Sequence, residues 1–489
     1  LYVAQVVGSQ VSAIDIDSGD IETISPMGGA IVGPDDLVFD DEGNLYFTEI
    51  TENRVTMLAP DGTSRVLCDM PVANPITYHQ GRLIAGELRP GGSIMEIDRN
   101  GGAPRPILAD VPMSNAFEVG PDGKLYFPVM GMNEIWRVSL DGGEPEVVAK
   151  DLGLPDSVKF DRDGFIVSTQ VMSGQVLRID PRNGDRTVLA DIGAGLDNCS
   201  FVGDRLFVSH IGGSIHEIVE PGKIRPLVER GLAGPMDLAI GPDGTLFVAD
   251  GGFTYTMSPG SGGGLEVAGM LFTPGFPGFT RGAVAGANAG EWIVTTATGL
   301  VARWRPAAQE HDVLASGYDQ LMGVAVAPGG AVVFAQAPTG SVFAVEGGTV
   351  STLASGLDTP IGVAVGADGI CYVSESGAGG IVKIVGGKAE TVLDGLQQPQ
   401  GMALRDGTLY IVDVRAKELI ALDLATGART TIAARLPVGA PPGVTPRFLG
   451  GVGDMCGPMI PFTGLTAAPD GTLYVSASGE GSIWAIRPA

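Results

Sequence analysis

A tight turn built on Asp-Gly, Gly-Asn or a close variant recurs along this 489-residue chain, each time between two short apolar runs. In the first half its glycines are Gly43, Gly81, Gly123, Gly164, Gly203 and Gly244, spaced by 38, 42, 41, 39 and 41 residues. A period of about 40 residues means one supersecondary unit copied along the chain. Asp-Gly supplies the positive φ of a tight hairpin, and the flanking runs alternate with the two-residue period of strands. One copy, "PDDLVFDDEGNLYFTEITENRVTMLAPDGTSRVLCDM" (34–70), holds four strand-like runs, the content of one β-propeller blade. About twelve copies are too many for one ring of four to eight blades. The expected fold is therefore all-β, two tandem six-bladed β-propellers over 1–232 and 233–489, with seven plus five blades as the alternative. Ring closure is the irregular point. The first copy lacks an innermost strand and the last, from Phe462, lacks an outermost one, so a strand near Gly234 to Asp243 is a candidate to close ring one.

Composition removes several classes of function. The net charge of -26, from 30 Lys and Arg against 56 Asp and Glu, repels phosphate backbones and argues against nucleic-acid binding. No run of 18 apolar residues and no basic amphipathic stretch is present, so no membrane contact is expected. The chain opens at Leu1 without Met, as after removal of a leader or trimming, but no leader is visible. The compartment, cytoplasmic or exported, and the oligomeric state stay open. Cys68, Cys199, Cys371 and Cys456 have no paired spacing and indicate neither a disulfide framework nor a zinc site.

Propeller geometry locates the site. Residues just before each inner strand and at the end of each second strand ring one mouth. In ring one the first column reads Asp35, Asn74, Asn115, Asp156 and Asp197, all carboxylates or carboxamides. Loop-entry turn chemistry alone favours such residues. The matching positions of ring two, Met236, Met322, Ile361, Gln400 and Thr463, show that the fold closes without a polar ring. Oxygen donors converging on an axis call for a hard divalent cation, Ca²⁺ first, with Mg²⁺ or Zn²⁺ as alternatives. All five residues of this column, Asp35, Asn74, Asn115, Asp156 and Asp197, are its candidate ligands. The second column reads Glu49, Glu87, Val129, Gln170 and His210. Glu49 and His210 are candidate acid/base groups, and a solvated strand end is the plain alternative for each. His79, His216 and His311 read as surface residues.

"SNAFEVGPDGKLYFPV" and "PDSVKFDRDGFIVSTQ" resemble the Ser-Asn-Gly and Pro-Asp-Gly blade starts of the senescence marker protein/gluconolactonase superfamily of six-bladed propellers. The resemblance implies a central divalent cation held by a Glu, an Asn and an Asp that polarises a lactone or ester carbonyl. It maps the Asn ligand to Asn115, the Asp ligand and base to Asp156, and a substrate-contacting Asn to Asn74. Glu87 and Gln170 join Asn74 as candidate substrate contacts from their place at the mouth. Ala116 and Ser157 replace the motif glycines, and the family's Glu belongs to the missing inner strand; Asp35, Asp197 and Asp237 are candidates to substitute. "GNLYFTEITENRV" is also similar to virginiamycin B lyase and NHL-type repeats.

Ring two carries two expanded loops. The turn spacing from Gly407 to Gly471 is 64, the excess being "VGAPPGVTPRFLGGVGDMCGPMIP", and "GMLFTPGFPGFTRG" precedes another strand. Phe272, Phe276, Phe279 and Phe448 with Arg281 and Arg447 are expected to line an apolar pocket with an anion anchor, or to fill the space at the mouth. Glu375 and Asp413 read as structural. The leading functional expectation is a metal-dependent hydrolase opening a small-molecule lactone or ester at the centre of ring one. A lyase acting by elimination and a non-catalytic binding module are the alternatives.

Overall fold

A computed structural model describes residues 1–229, 231–260 and 264–487. It is all-β: twelve antiparallel sheets whose strands follow one another in chain order. The only helical pieces among the described residues are the 3-10 turns Met130–Met132 and Pro306–Ala308. No helix there is long and apolar enough to cross a membrane. The chain forms two compact units, Leu1–Arg230 with Val444–Gly453, and Gly231–Gly443 with Asp454–Ala489.

The second unit holds six sheets. Their first strands, Leu238–Ile240, Thr280–Ala285, Leu321–Val326, Pro360–Val365, Pro399–Arg405 and Leu465–Ala467, contact one another in sequence, and the last contacts the first. The first strands therefore form a closed inner ring, the geometry of a propeller. The final sheet, 465–486, has three strands and no outermost one. Leu238–Ile240, the candidate closing strand for ring one, belongs instead to this unit.

The first unit also holds six sheets. The opening one, Tyr2–Gln5, Gln10–Ile14 and Ile21–Ser25, has three strands. Tyr2–Gln5 meets Pro34–Phe39 as second strands elsewhere meet the next inner strand, so the absent member is the inner one. This sheet is joined to the sixth by Ile14, Phe207 and Ile215 with Val3 and Leu227 around them, and by Arg205, which donates to Asp17 (2.6 Å) and to the Ile16 carbonyl (3.0 Å).

The inner strands share one irregularity. Pro34 pairs with Glu49 but Leu37 pairs with Phe47, so one extra residue bulges from the inner strand. The same shift occurs between Ala73 and Ile76, Leu196 and Cys199, Thr280 and Ala283, Leu321 and Val324, Pro360 and Val363, and Pro399 and Met402. The isolated pairs Ser114 with Val129 and Pro155 with Gln170 mark the same place in the two remaining sheets of the first unit. Each bulge sets two consecutive residues out of the ladder at the ring axis.

The second bulge residue decides how tightly a ring closes. In five of the second unit's six sheets it is Gly282, Gly323, Gly362, Gly401 and Gly464, with Asp237 in the other, and a Cβ at any of these glycines would run into backbone of the next sheet, Ile361 O lying 2.7 Å from that position on Gly323. In the first unit the corresponding residues are Asp36, Pro75, Ala116, Ser157 and Asn198. Replacing Gly323 by Ala forces backbone apart in a close-packed ring and is expected to cost about 1–3 kcal/mol. Urea unfolding of Gly323→Ala beside Ala116→Gly checks this, the latter change being the milder of the two.

Candidate functional site

The bulges place the polar column of the first unit on its axis. Asp35, Asn74 and Asp197 are first bulge residues, and Asn115 and Asp156 follow the isolated pairs at the same level. Second-strand hydroxyls at Thr48 and Thr169 fix two of these placements, whereas the equivalent positions in the two sheets between are Gly86 and Pro128. Thr48 Oγ1 accepts from the Asp36 N–H (3.0 Å) and donates to the Asn74 carbonyl (2.5 Å). Thr169 Oγ1 donates to the Asp197 carbonyl in the same way. Side-chain contacts then join neighbouring sheets: Asn74 Nδ2 donates to Asp35, and Asn115 Nδ2 donates to Asp156 Oδ1 at 2.7 Å. Ser209 Oγ donates to Asp197 Oδ2 at 3.3 Å.

Carboxylates dominate this centre. Burial and the neighbouring Asp197 and Asp36 hold the Asp35 carboxyl well above its ordinary range; burial, Asp197 and Asp35 do the same to Asp156. Burial likewise raises Asp197, against hydrogen bonds from Asn198 and Ser209. Asn74, Asn115 and Asp156 are buried, whereas Asp35 and Asp197 are half-buried, enclosed by protein but open to the channel. Two oxygens, Asp156 Oδ2 and Asn74 Oδ1, are buried with no hydrogen-bond partner among the described residues. Unpaired acceptors in a centre of repelling carboxylates are an arrangement that a cation relieves. The donors are hard oxygens and suit Ca²⁺ or Mg²⁺. No group of three or more His, Cys, Asp or Glu able to hold a metal occurs among the described residues, so amide oxygens from Asn would have to complete any ligand set.

Two residues of this centre escaped the sequence reading. Lys159, three residues after Asp156, brings a positive charge: burial pulls its ammonium down, but Glu118 and Asp36 carry it above its ordinary value. Asp36 accepts from the Leu37 N–H (2.9 Å) and from the Ile76 N–H of the next sheet (3.2 Å), and burial pushes it up to about 6 against Lys159. Asp237 repeats that pattern in the second unit, accepting from Leu238 (3.0 Å) and Ala283 (2.9 Å). Both sit in a Pro-Xaa-Asp-Leu stretch, 34–37 and 235–238, a signal visible in the sequence. Their shared role is to tie one inner strand to the next, and Asp237 lies in the second unit, away from the ligand column it was expected to complete.

The second-strand column is braced to backbone. Glu49 Oε2 accepts from the Val32 N–H (3.3 Å) and from Arg54 Nε (2.8 Å). Gln170 accepts from the Gly153 N–H (2.9 Å) and donates to Ser168 (2.9 Å), and Glu87 accepts from Arg89 (2.7 Å) and the Ser93 N–H (3.0 Å). His210 Nδ1 accepts from the Gly212 N–H at 2.8 Å and Nε2 faces the Ala194 carbonyl at 2.8 Å, which fixes the Nε2–H tautomer, and burial lowers its pKa. The second unit repeats the brace. Asp250 accepts from Ala233 and Gly234, Glu375 from Asp358, and Asp413 from Gln397 and Gln398.

The centre of the second unit holds no ring of carboxylates: at the first bulge level it carries Met236, Arg281, Met322, Ile361, Gln400 and Thr463. Met236, Met322, Ile361 and Phe462 belong to its main core cluster. Arg281 is the charged first bulge residue there, 0% exposed, with Nη1 donating to the Ile460 carbonyl (3.0 Å) and Nη2 to that of Pro458, and burial lowers it to about 10. Arg447 and Phe448 belong to the first unit, where Arg447 Nε donates to the Gly28 carbonyl (3.4 Å).

No family model matches the chain, and no curated protein matches it. Solved structures similar to it include a gluconolactonase from Xanthomonas campestris, at 20% identity over 44% of this chain and 81% of that one, TM-score 0.35. A streptogramin B lyase structure is 16% identical over 73% of this chain and 94% of that one, TM-score 0.26. A nidogen/laminin complex gives 17% identity over 47% and 92%, TM-score 0.28. Identities this low speak to no shared activity.

Asp237 makes a pH test away from the polar centre. Its pKa is raised from 3.8 to about 7 by burial. Its contribution to stability is present below its unfolded value and lost as pH rises through about 7, because the folded state holds a proton there that the unfolded state has released. The slope for one such group is at most about 1.4 kcal/mol per pH unit. Thermal melts of Asp237→Asn and wild type between pH 5 and pH 8 are expected to show the variant gaining on wild type as pH rises.

Proposed function

We propose that the protein is a metal-dependent hydrolase of the lactonase or esterase type, acting at the centre of the first unit. The observation that carries this reading is the convergence there of Asp35, Asp156 and Asp197 with Asn74 and Asn115, two of their oxygens buried without a partner, where the corresponding positions of the second unit, Met236, Arg281, Met322, Ile361, Gln400 and Thr463, include no carboxylate. Asn115, Asp156 and one or both of Asp35 and Asp197 would hold the cation, Ca²⁺ before Mg²⁺ or Zn²⁺. When bound, it supplies Lewis-acid polarisation of the ester carbonyl.

The chain's own groups do the rest. Asn74, hydrogen-bonded to Asp35, is placed to orient the substrate beside the carboxylates. A carboxylate whose neighbours are also carboxylates is a stronger base than an isolated one, which suits proton abstraction from water near neutral pH. The reading gives that work first to the Asp groups, because His210 and Gln170 spend their polar atoms on their own loops, and keeps Glu49 as a second candidate: Oε2 is paired with Arg54, while Oε1 is buried without a partner among the described residues and burial raises the carboxyl.

Elemental analysis before and after chelation, with hydrolysis of a panel of lactones and aryl esters, tests the reading. About one divalent ion per chain is expected, with turnover lost on chelation and restored on readdition. Solvent oxygen in the product marks hydrolysis; a new double bond marks elimination and overturns it. Asp156→Asn separates the site from the rest of the molecule. In chelator the variant is expected to melt higher than wild type, since one repelling charge is gone. With excess Ca²⁺ wild type gains by mass action and the variant does not. Its kcat/KM is expected to fall by about 10²-fold or more.

A further inference from the structure

We propose that the mouth of the first unit selects substrates with an uncharged apolar body, such as alkyl lactones or esters, through a rim formed by Met132, Met172, Ile211 and Phe448; this rests on the hydrolase reading above. Three of these side chains lie in the turns after the second strands of three successive sheets, three, two and one residues past Val129, Gln170 and His210. The pairs Ser114 with Val129, Pro155 with Gln170 and Leu196 with His210 bring the ends of the second strands beside Asn115, Asp156 and Asp197. The turns that follow carry Met132, Met172 and Ile211, which are 51%, 36% and 40% exposed.

Phe448 reaches the same mouth from a distant part of the sequence. Its segment, 444–453, lies against the connections that enter the first two inner strands and the turn after Glu49. Gly28 is against the Thr445 carbonyl, Gly450 against that of Thr51, and Gly453 against the Val72 side chain. Phe448 is 65% exposed, the highest value among the large apolar side chains described.

Two further observations fit an apolar guest. A polyol needs free hydrogen-bonding groups at the mouth, but the polar side chains there, Gln170, Glu87 and His210, are engaged with their own loops. An anionic guest meets a carboxylate centre in a chain of net charge -26. The second unit supplies a comparison: the turns after its second strands carry no exposed large apolar side chain among the described residues, and its connections into inner strands carry a single one, Phe272 at 45%. Exposed apolar groups clustered at one mouth mark a binding surface.

The test uses the full chain and two readouts. The first is turnover of γ-lactones of increasing alkyl length beside gluconolactone. The second is displacement of the neutral fluorescent probe N-phenyl-1-naphthylamine by the same lactones, in wild type, in Asp156→Asn, and in a variant with Met132, Met172, Ile211 and Phe448 each changed to Ser. These positions are exposed, so the variant is expected to fold, which circular dichroism checks. Affinity is expected to rise about two- to fourfold per methylene over the first several carbons in wild type and Asp156→Asn, and to lose that slope in the rim variant. Chain-length-dependent displacement without turnover upholds the rim and overturns the hydrolase reading. Turnover that is flat with chain length, or highest on gluconolactone, overturns the rim and leaves the hydrolase reading standing. A slope that persists in the rim variant also overturns the rim.

Discussion

The bulge set at a common level in the inner strands is the constraint on which both units depend, and in three sheets it is held by one contact of a second-strand hydroxyl, which takes an N–H from its own inner strand and donates to the carbonyl of the next. Thr48, Thr295 and Ser374 all make it, with Asp36, Gly282 and Gly362 as donors and the carbonyls of Asn74, Met322 and Gln400 as acceptors. A bulge leaves these backbone groups out of the ladder, and buried backbone groups must find partners elsewhere. One side chain answers both needs and fixes where the next bulge sits. Each such bond contributes only about 1 kcal/mol net, yet leaving its backbone partners unsatisfied costs about 1–3 kcal/mol each. The ring therefore closes with its bulges at a common level.

That shared frame explains how one repeat makes two unlike centres. With glycine at the second bulge position in five of its six sheets, the second unit's inner strands approach until the next carbonyl blocks any Cβ, and the axis takes Met236, Met322 and Ile361 with Arg281, Gln400 and Thr463. With Asp36, Pro75, Ala116, Ser157 and Asn198 there, the first unit keeps room for polar groups. Asn198 shows the frame by its failure: its counterpart Asp36 accepts from Ile76 of the next sheet, while Asn198, whose neighbouring sheet has no inner strand among the described residues, has an unpartnered Oδ1. A centre of carboxylates is costly to build, and such cost is ordinarily found where a ligand offsets it.

Much of this was legible in the sequence because the repeat is local. Asp-Gly turns and two-residue alternation announce hairpins, and the column from Asp35 to Asp197 follows once strand order is known. What was not legible depends on contacts between sheets. Asp36 and Asp237 look like neighbours of site residues until their bonds to Ile76 and Ala283 appear. The braces made by Gln170 and His210 use loop amides and carbonyls that no side-chain pattern reveals. Segment 444–453 reads as an expanded loop of the second ring, yet its backbone rests against Thr51 and Gly28. Lys159 was hidden in a strand, where a lysine usually marks the solvent face.

The central claim is that the bulge positions of the first unit, and not those of the second, form a cation site. Crystals of chelated protein soaked in Ca²⁺, with anomalous scattering recorded at long wavelength, test it directly. The account predicts one peak on the axis of the first unit, within about 2.3–2.6 Å of oxygens from Asp156 and Asn115 and from Asp35 or Asp197. A peak at the centre of the second unit, or none among these four side chains, would contradict it.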